Sequence, residues 1–475
     1  MDVDDELLLH KDLNEWSERK YIIWKAIPIS LSYLLQNILP FISVFALGHL
    51  GQTELAIATL SIMCYNFTFV ALIYGAATAL DTLCSQAYTS GDVKMVGIFL
   101  QRAIIIQLLG FIPIACIWWE SEQILILMGQ SPAISSKTCL YLRYLLIGAP
   151  AFLLFENLRR YLQAQGIMKA STYVLIISCI IAICLNFLLV LYQPLSLGFI
   201  GAPIATSITN WLMFSLLVIY TKFINGYQAW GGWSRVAFYG WKQIFTLAIP
   251  GILMVCSELW TSEFISFLTG YLGELPLASQ GILSVIVTLL YQSPFGLSVS
   301  ASNRVGNLLG AGLVEKAKMT SKLTMQLAII LALFEATILI VFKNYWGYIF
   351  ISEDDVVKHT ASVIPMISIF EISDGLNVVG QGILRGQGRQ NIGALINAPG
   401  YVVLGLPVSI LTAFTLRYGL LGLWFGSTAS SVIVCIILLI ILWRTDWQQQ
   451  LEECKKRMKE GKDKLEFMIS DVPDF

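Results

Sequence analysis

Two pairs of acidic residues lie inside stretches that are otherwise apolar. Glu258 and Glu263 occur between about residues 240 and 270, and Glu371 and Asp374 lie in a later stretch of the same kind. An ionisable side chain within a membrane segment is costly, so each is a functional candidate. A carboxyl group that binds and releases protons suits a proton relay or a cationic substrate. We interpret Glu258, Glu263 and Glu371 as proton-coupling or substrate residues.

The spacing within each pair decides which side chains can act together. Five residues separate Glu258 from Glu263, which is about 140° around a helix, so they form two sites. Three residues separate Glu371 from Asp374, so these lie on adjacent faces, and Asp374 is a candidate pathway residue. The alternative for each is a carboxyl group held permanently by neighbouring hydroxyl groups.

Asp81 and Gln86 close another apolar stretch and are candidate pathway or gate residues. A carboxylate near a helix end can pair with a cation and serve as a latch. The expected partners of Asp81 are Lys94, Arg102 or Arg304. Two further acids, Glu156 and Glu335, are expected to form internal pairs.

Aromatic residues are abundant, but Trp and Tyr concentrate at membrane interfaces. Trp118 and Trp443 are therefore interpreted as interfacial. Trp260 and Tyr291 lie inside apolar stretches instead, and an aromatic face can hold an organic cation by up to about 2 kcal/mol. They are candidate pathway residues, with packing as the alternative.

The elements that must position these side chains are membrane helices. The 475 residues are 56% hydrophobic and 13% charged, with a mean hydropathy of +0.72. A soluble domain carries about a quarter charged residues, so a soluble fold is excluded. About twelve stretches between residues 22 and 443 reach the roughly 20 apolar residues that a transmembrane helix needs.

Motifs of other protein classes are missing from the sequence. It contains no P-loop, no paired nucleophile and base, no Cys and His cluster with metal-ligand spacing, and no basic cluster typical of nucleic-acid binding. We predict that the chain is not an enzyme, and that it uses no metal, cofactor or nucleic acid. We expect a monomer whose partners are small organic substrates, protons and the bilayer.

The distribution of basic residues predicts the topology. Of the 30 Lys and Arg residues, one side of the membrane holds all except Lys137, Arg143, Lys343, Lys358 and Arg417. Because positive loops stay in the cytoplasm, both termini are predicted to be cytoplasmic. Residues 1–20 and 444–475 are interpreted as solvated tails, in a protein of the plasma or vacuolar membrane.

The two halves of the chain resemble each other at an offset of about 222 residues. Ala26 to Pro28 recurs as Ala248 to Pro250, and Leu50-Gly51 recurs as Leu272-Gly273. Such repeats are common in transporters, which often bind substrate between the repeats near mid-depth. The sequence predicts an all-α membrane protein with twelve transmembrane helices in two pseudo-symmetric six-helix lobes. These are residues 21–222 and 240–443, joined by a linker at 223–239.

Several runs together resemble the eukaryotic branch of the multidrug and toxic compound extrusion (MATE) family. They are the runs from Asp81 to Tyr88, Tyr161 to Gly166, Cys256 to Glu263, Ser300 to Gly312 and Leu384 to Gly388. The resemblance implies two six-helix lobes with a V-shaped cavity, and export of organic solutes in exchange for protons or sodium. It also implies transport roles for Glu258, Glu263 and Glu371, and a lobe-lining position for Asn66.

The chain departs from the family pattern in two places. Val285 stands where animal members carry an acid in the eighth span, and Thr89 replaces the usual Gly after Tyr88. The first departure weakens the case for strong cation preference. We predict a secondary antiporter that exports organic, often cationic or amphipathic, compounds in exchange for protons, with sodium as the other coupling ion. The alternatives are a lipid-linked or polysaccharide flippase of the same superfamily, and a receptor or channel.

Overall fold

The computed structural model describes residues 14–470, with side chains up to residue 462. The predicted tails, 1–20 and 444–475, therefore lie partly outside the described residues. Within residues 14–470 the fold is all-α, and the predicted twelve spans are confirmed. In chain order, spans 1 to 12 are Glu15–Gly48, Gln52–Thr89, Lys94–Trp119, Pro132–Ala164, Lys169–Leu191, Gly198–Phe223, Lys242–Leu272, Glu274–Gly310, Val314–Val341, Asp354–Gln387, Gln390–Thr415 and Gly419–Trp443.

Shorter elements connect or interrupt the spans. Four segments are π-helical, a geometry that is often found at functional sites: Asn66–Val70, Phe187–Leu191, Ala398–Gly405 and Leu411–Thr415. A short helix, Ser121–Leu127, follows span 3. The connection after span 6 contains two 3₁₀ turns, Tyr227–Ala229 and Arg235–Phe238. A helix outside the spans, Trp447–Ser470, follows span 12.

Contacts divide the described chain into two compact units. The first unit comprises residues 31–246 and 458–470, and the second comprises residues 14–30 and 247–457. The lobe boundaries proposed from the sequence stay a prediction. The contacts place the beginning of span 1 with the second unit, because its buried face packs there.

An aromatic cluster fills one part of the first unit. Trp118 packs against Tyr65, Phe69 and Phe111, with ring centroids 5.6 to 6.0 Å apart. Its indole N–H donates to Thr68 Oγ1 at 2.8 Å. Trp118 is only 1% exposed, so its interpretation as an interfacial residue is wrong. An indole with both faces covered and its N–H satisfied is a core residue.

Spans 8 and 10 pack with their backbones close together in the second unit. A Cβ atom at Gly386 would lie 2.6 Å from the Ser302 carbonyl oxygen, and one at Gly382 would overlap Ser298. Small residues at four-residue spacing allow this approach between membrane helices. The same glycines bring the polar side chains of span 10 against span 8.

The beginning of span 1 is held by a buried ion pair. Arg304 donates from Nε and Nη2 to the two carboxylate oxygens of Glu18, each at 2.8 Å. Thr320 donates to the same carboxylate at 2.8 Å, and the guanidinium lies 4.5 Å from the Tyr21 ring centroid. Glu18 is 1% exposed, so the expectation of a solvated tail is wrong at this residue. Arg304 provides the partner that makes the burial of Glu18 tolerable.

The helix Trp447–Ser470 is also not a solvated tail. Trp447, Gln450, Leu451 and Cys454 are buried, and their spacing of three and four residues marks one helical face. The Arg457 guanidinium lies against Gly388, in the turn between spans 10 and 11. Burial raises the pKa of the Cys454 thiol to about 11. This helix is therefore docked along one face.

We expect Glu18→Gln to destabilise the protein by about 3–5 kcal/mol, because it leaves Arg304 buried without its carboxylate. The control is Glu15→Gln on the same helix, whose pair with Arg19 spans 4.0 Å and is exposed. Such a surface pair contributes about 0–1 kcal/mol. Thermal unfolding of both variants in detergent measures the difference, and equal melting temperatures would contradict the role of the buried pair.

The docked helix predicts slow labelling of Cys454. A thiol that is protonated at pH 8 and 1% exposed should react with a maleimide at least about tenfold more slowly than a thiol introduced by Lys455→Cys on the exposed face. Mass spectrometry of the C-terminal peptide gives both rates. Similar rates at the two positions would show that the helix is not docked.

Candidate functional site

Glu258 on span 7 is surrounded by polar groups from spans 8 and 10. Gln381 donates from Nε2 to its Oε2 at 3.5 Å. Tyr291 hydrogen bonds to the same carboxyl group, and Arg385 is near enough for its charge to act on Glu258. Arg385 is itself held by Ser298, whose Oγ accepts from Nη2 at 2.9 Å. The glycine-mediated approach of spans 8 and 10 builds this environment.

Asp374 on span 10 extends the site. Its charge interacts with that of Glu258, and Tyr401 on span 11 donates to Asp374 Oδ1 at 3.5 Å. Asn377 donates from Nδ2 to the Tyr401 hydroxyl at 3.4 Å and to the Ser431 carbonyl oxygen at 3.0 Å. Side chains of spans 7, 8, 10, 11 and 12 thus form one polar network around Glu258 and Asp374.

Glu371 lies next to this network, on the same helix as Asp374. It is buried, and its Oε1 has no hydrogen-bond partner within the described part of the chain. Its charged neighbours are Asp374 and Glu335. Glu335 on span 9 is buried and hydrogen bonds to Ser293. Among residues 14–470 no basic side chain pairs with Glu335, so the ion pair expected there is not observed.

The structure does not bring Glu263 into this group. Glu263 is half-buried and has no hydrogen bond to any residue of the polar network around Glu258, in agreement with their different faces. Trp260 lies on the surface of span 7 at 36% exposure. Tyr291 is the aromatic candidate that reaches the site, where it also stacks on Phe295 with centroids 5.5 Å apart.

Asp81, in the first unit, is paired with a residue that the sequence analysis did not select for it. Arg160 donates from Nη1 to both carboxylate oxygens of Asp81, each at 3.0 Å. Of the predicted partners, Lys94 and Arg102 lie in the same unit and form no ion pair with Asp81 among the described residues. The predicted pairing with Arg304 stays a prediction. Both side chains of the pair are buried. Sequence distance hid the pair, because Arg160 follows Asp81 by a full span and its connections.

A second ionic group in the first unit confirms the internal pair predicted at Glu156. Arg159 donates from Nη2 to Glu156 Oε1 at 2.7 Å and from Nη1 to Gln36 Oε1 at 2.7 Å. Gln36 donates in turn to Glu156 Oε1 at 2.7 Å. The Arg159 guanidinium lies 3.8 Å from the Tyr33 ring centroid. Both buried carboxylates of the first unit within the described residues are thus neutralised by arginine.

The two remaining candidates lie in the first unit as well. Asn66 begins the π-helical segment of span 2 and is half-buried. Gln86 is fully buried, one turn after Asp81. Their predicted pathway roles stay predictions.

Sequence reasoning missed Gln381, Arg385 and Tyr401 as neighbours of the acids. The signal for two of them was present, because Asp374, Gln381 and Arg385 recur at seven and four residues and share one face of span 10. Tyr401 carried no such signal, since its contact depends on the packing of span 11. Within the described residues, no group of three His, Cys, Asp or Glu side chains has the arrangement of a metal site.

The chain matches the model of one protein family along both of its halves. A model of the MatE family matches residues 28–188 and 250–411. The two matched segments begin 222 residues apart, which is the displacement found between the sequence repeats. The two matched segments cover the first five of the six spans in each half, apart from the beginning of spans 1 and 7 and the last residues of spans 5 and 11.

Curated relatives and solved structures agree with this match. An uncharacterised transporter of Schizosaccharomyces pombe is 41% identical over 458 residues, which are 96% of this chain and 85% of the relative. Human multidrug and toxin extrusion protein 1 is 34% identical, over 92% of this chain and 77% of its own. The crystal structure of the eukaryotic MATE transporter AtDTX14 has a TM-score of 0.87 at 30% identity, covering 93% of this chain and 99% of that one. The chain belongs to the MatE family of multidrug and toxin extrusion transporters.

Proposed function

We propose that this protein is a secondary antiporter that exports organic compounds, often cationic or amphipathic, in exchange for protons. The names of its curated relatives, multidrug and toxin extrusion protein 1 of several vertebrates, support the substrate class. The residues of the second unit support the coupling ion.

The observation that carries the proposal is the contrast between the paired acids of the first unit and the buried acids of spans 7 and 10 in the second unit. In the first unit, Asp81 and Glu156 are each paired with an arginine. In the second unit, Glu258 and Asp374 interact with each other and with neutral hydroxyl and amide groups, with Arg385 nearby. A carboxylate held by arginine keeps its charge, whereas a carboxyl group held by neutral partners can exchange protons with little rearrangement.

Glu258 and Asp374 are the proposed proton-binding groups. Gln381 and Tyr401 donate hydrogen bonds to these carboxyl groups and would stabilise them when charged. We propose that protonation of Glu258 from the far side weakens substrate binding and favours return of the empty carrier. Glu371, close to Asp374, would hold or orient the substrate. A proton that enters down a potential of 100 mV supplies about 2.3 kcal/mol for this cycle.

We further propose that both termini are cytoplasmic, that the protein acts as a monomer, and that it resides in the plasma or vacuolar membrane. The uneven distribution of Lys and Arg supports the orientation. The flippase alternative would require a basic cavity. The pairing of Arg159 and Arg160 with carboxylates in the first unit supports the antiporter instead.

Transport assays with the purified protein in liposomes test the proposal. We expect a pH gradient, imposed without sodium, to drive counterflow of a fluorescent organic cation. Glu258→Gln should reduce that flux to the level of liposomes without protein, because the variant cannot exchange a proton. Glu258→Asp should retain part of the flux.

The matched control is Glu274→Gln, which removes an exposed carboxylate at the start of span 8 in the same unit and should leave transport unchanged. If a sodium gradient alone drives the flux, proton coupling is wrong although transport stands. If Glu258→Gln transports at the wild-type rate, the assignment of Glu258 is wrong.

A further inference from the structure

The connection between spans 6 and 7, residues 223–242, lies along the beginning of span 3 within the first unit, and we call it the strap. Gln101 on span 3 donates to the Gly232 carbonyl oxygen at 2.8 Å and accepts from the Ser234 backbone N–H at 2.9 Å. Gly97, one turn earlier, lies against the Ala229 carbonyl oxygen. The connection is therefore an ordered surface element that lies beside the first turns of span 3.

Arg102 on span 3 lies beside the end of the strap and has an unusual environment. It is 1% exposed, and its guanidinium lies 3.0 Å from the position that a Cβ atom would take at Gly240. Within residues 14–470 its hydrogen-bonding partner is the Val236 carbonyl oxygen, 3.5 Å from Nη2, while Nε has none. Arg159, Arg160 and Arg304, which are equally buried, each have a carboxylate. Arg102 thus lacks the anion that its burial calls for.

The two chain segments that contribute Arg102 and the strap are basic and contain no acid. Residues 93–119 and 223–246 include no Asp or Glu. Lys94, Arg235 and Lys242 are exposed on the same two segments. This charge distribution is complementary to an anion bound from outside, and a phosphate group matches the geometry of a guanidinium.

The strap also presents aromatic side chains outward. They are 57% to 76% exposed and comprise Phe223, Tyr227, Trp233, Phe238 and Tyr239. The strap begins where span 6 ends and lies beside the start of span 3, so it lies at one boundary of the membrane. Aromatic residues at that depth lie among lipid headgroups. Basic residues beside them are attracted to the negative leaflet by about 1 kcal/mol each.

We propose that the strap, residues 223–242, together with Arg102 forms a binding site for the phosphate of an anionic phospholipid. The exposed aromatic rings lie in the headgroup layer and the lipid phosphate is held by Arg102, with Arg235 and Lys242 contributing charge. Because the strap joins the sixth and seventh spans, lipid bound there stabilises this connection. The site is separate from the acids of the second unit and does not depend on the transport proposal.

Native mass spectrometry of the full protein in a neutral detergent tests the site. Phosphatidylserine and phosphatidylcholine with identical acyl chains are titrated separately, and inorganic phosphate is titrated without lipid. Wild type should bind phosphatidylserine about tenfold more tightly than phosphatidylcholine, because both lipids carry the phosphate but only phosphatidylserine has a net negative charge for Arg102, Arg235 and Lys242 to attract. Arg102→Gln should abolish the preference.

A second variant keeps the test decisive if Arg102→Gln does not fold. Arg235→Gln combined with Lys242→Gln changes exposed residues alone and should reduce the preference severalfold. The charge-matched control is Lys358→Gln, an exposed position at the start of span 10, which should retain the preference. Equal binding of the two lipids by wild type overturns the site. Binding of inorganic phosphate as tight as that of phosphatidylserine overturns the assignment to a lipid.

Discussion

A charged side chain inside a membrane span must have a partner or give up its charge, and this constraint organises the polar interior of the protein. Arg304 is the partner of Glu18 and donates to it from Nε and Nη2. Arg160 is the partner of Asp81 and donates from Nη1 to both carboxylate oxygens. Around these pairs the helices are apolar and close-packed. Each pair therefore also fixes which helix faces must adjoin.

The second unit also contains buried acids that are not paired with an arginine as Glu18 and Asp81 are. Glu258 and Asp374 have amide and hydroxyl partners, and Glu371 lies beside Asp374 with its Oε1 unpartnered among the described residues. Arg385 lies near Glu258 and donates a hydrogen bond to Ser298. A duplicated scaffold thus carries two different interiors. The first unit has buried ion pairs suited to a fixed framework, and the second combines the pair of Glu18 and Arg304 with the carboxyl groups of spans 7 and 10, which we propose exchange protons. The proposed proton coupling therefore depends on one half of the protein.

The interpretation of individual residues succeeded where local pattern was sufficient. Glu258, Glu371 and Asp374 could be selected because an acid among twenty apolar residues is conspicuous. The pair of Glu156 and Arg159 could be predicted because they are three residues apart on one helix. The partner of Asp81 could not, since it is set by which face of span 4 packs on span 2. Trp118 was misassigned for the same reason, because a tryptophan near a span end can face lipid or the core.

The amino-acid sequence alone determined the all-α membrane fold, the twelve spans and the duplication, because these follow from hydropathy and from repeated residues along the chain. It also determined that span 7 carries acids that its repeat lacks, since Gln36 and Phe41 stand 222 residues before Glu258 and Glu263. The tertiary structure alone decided that Glu258 lies beside Asp374. It alone decided that Glu18 is buried and that Arg102 has no carboxylate among its described neighbours. These outcomes depend on distances between helices remote in sequence, which periodicity along one helix does not encode.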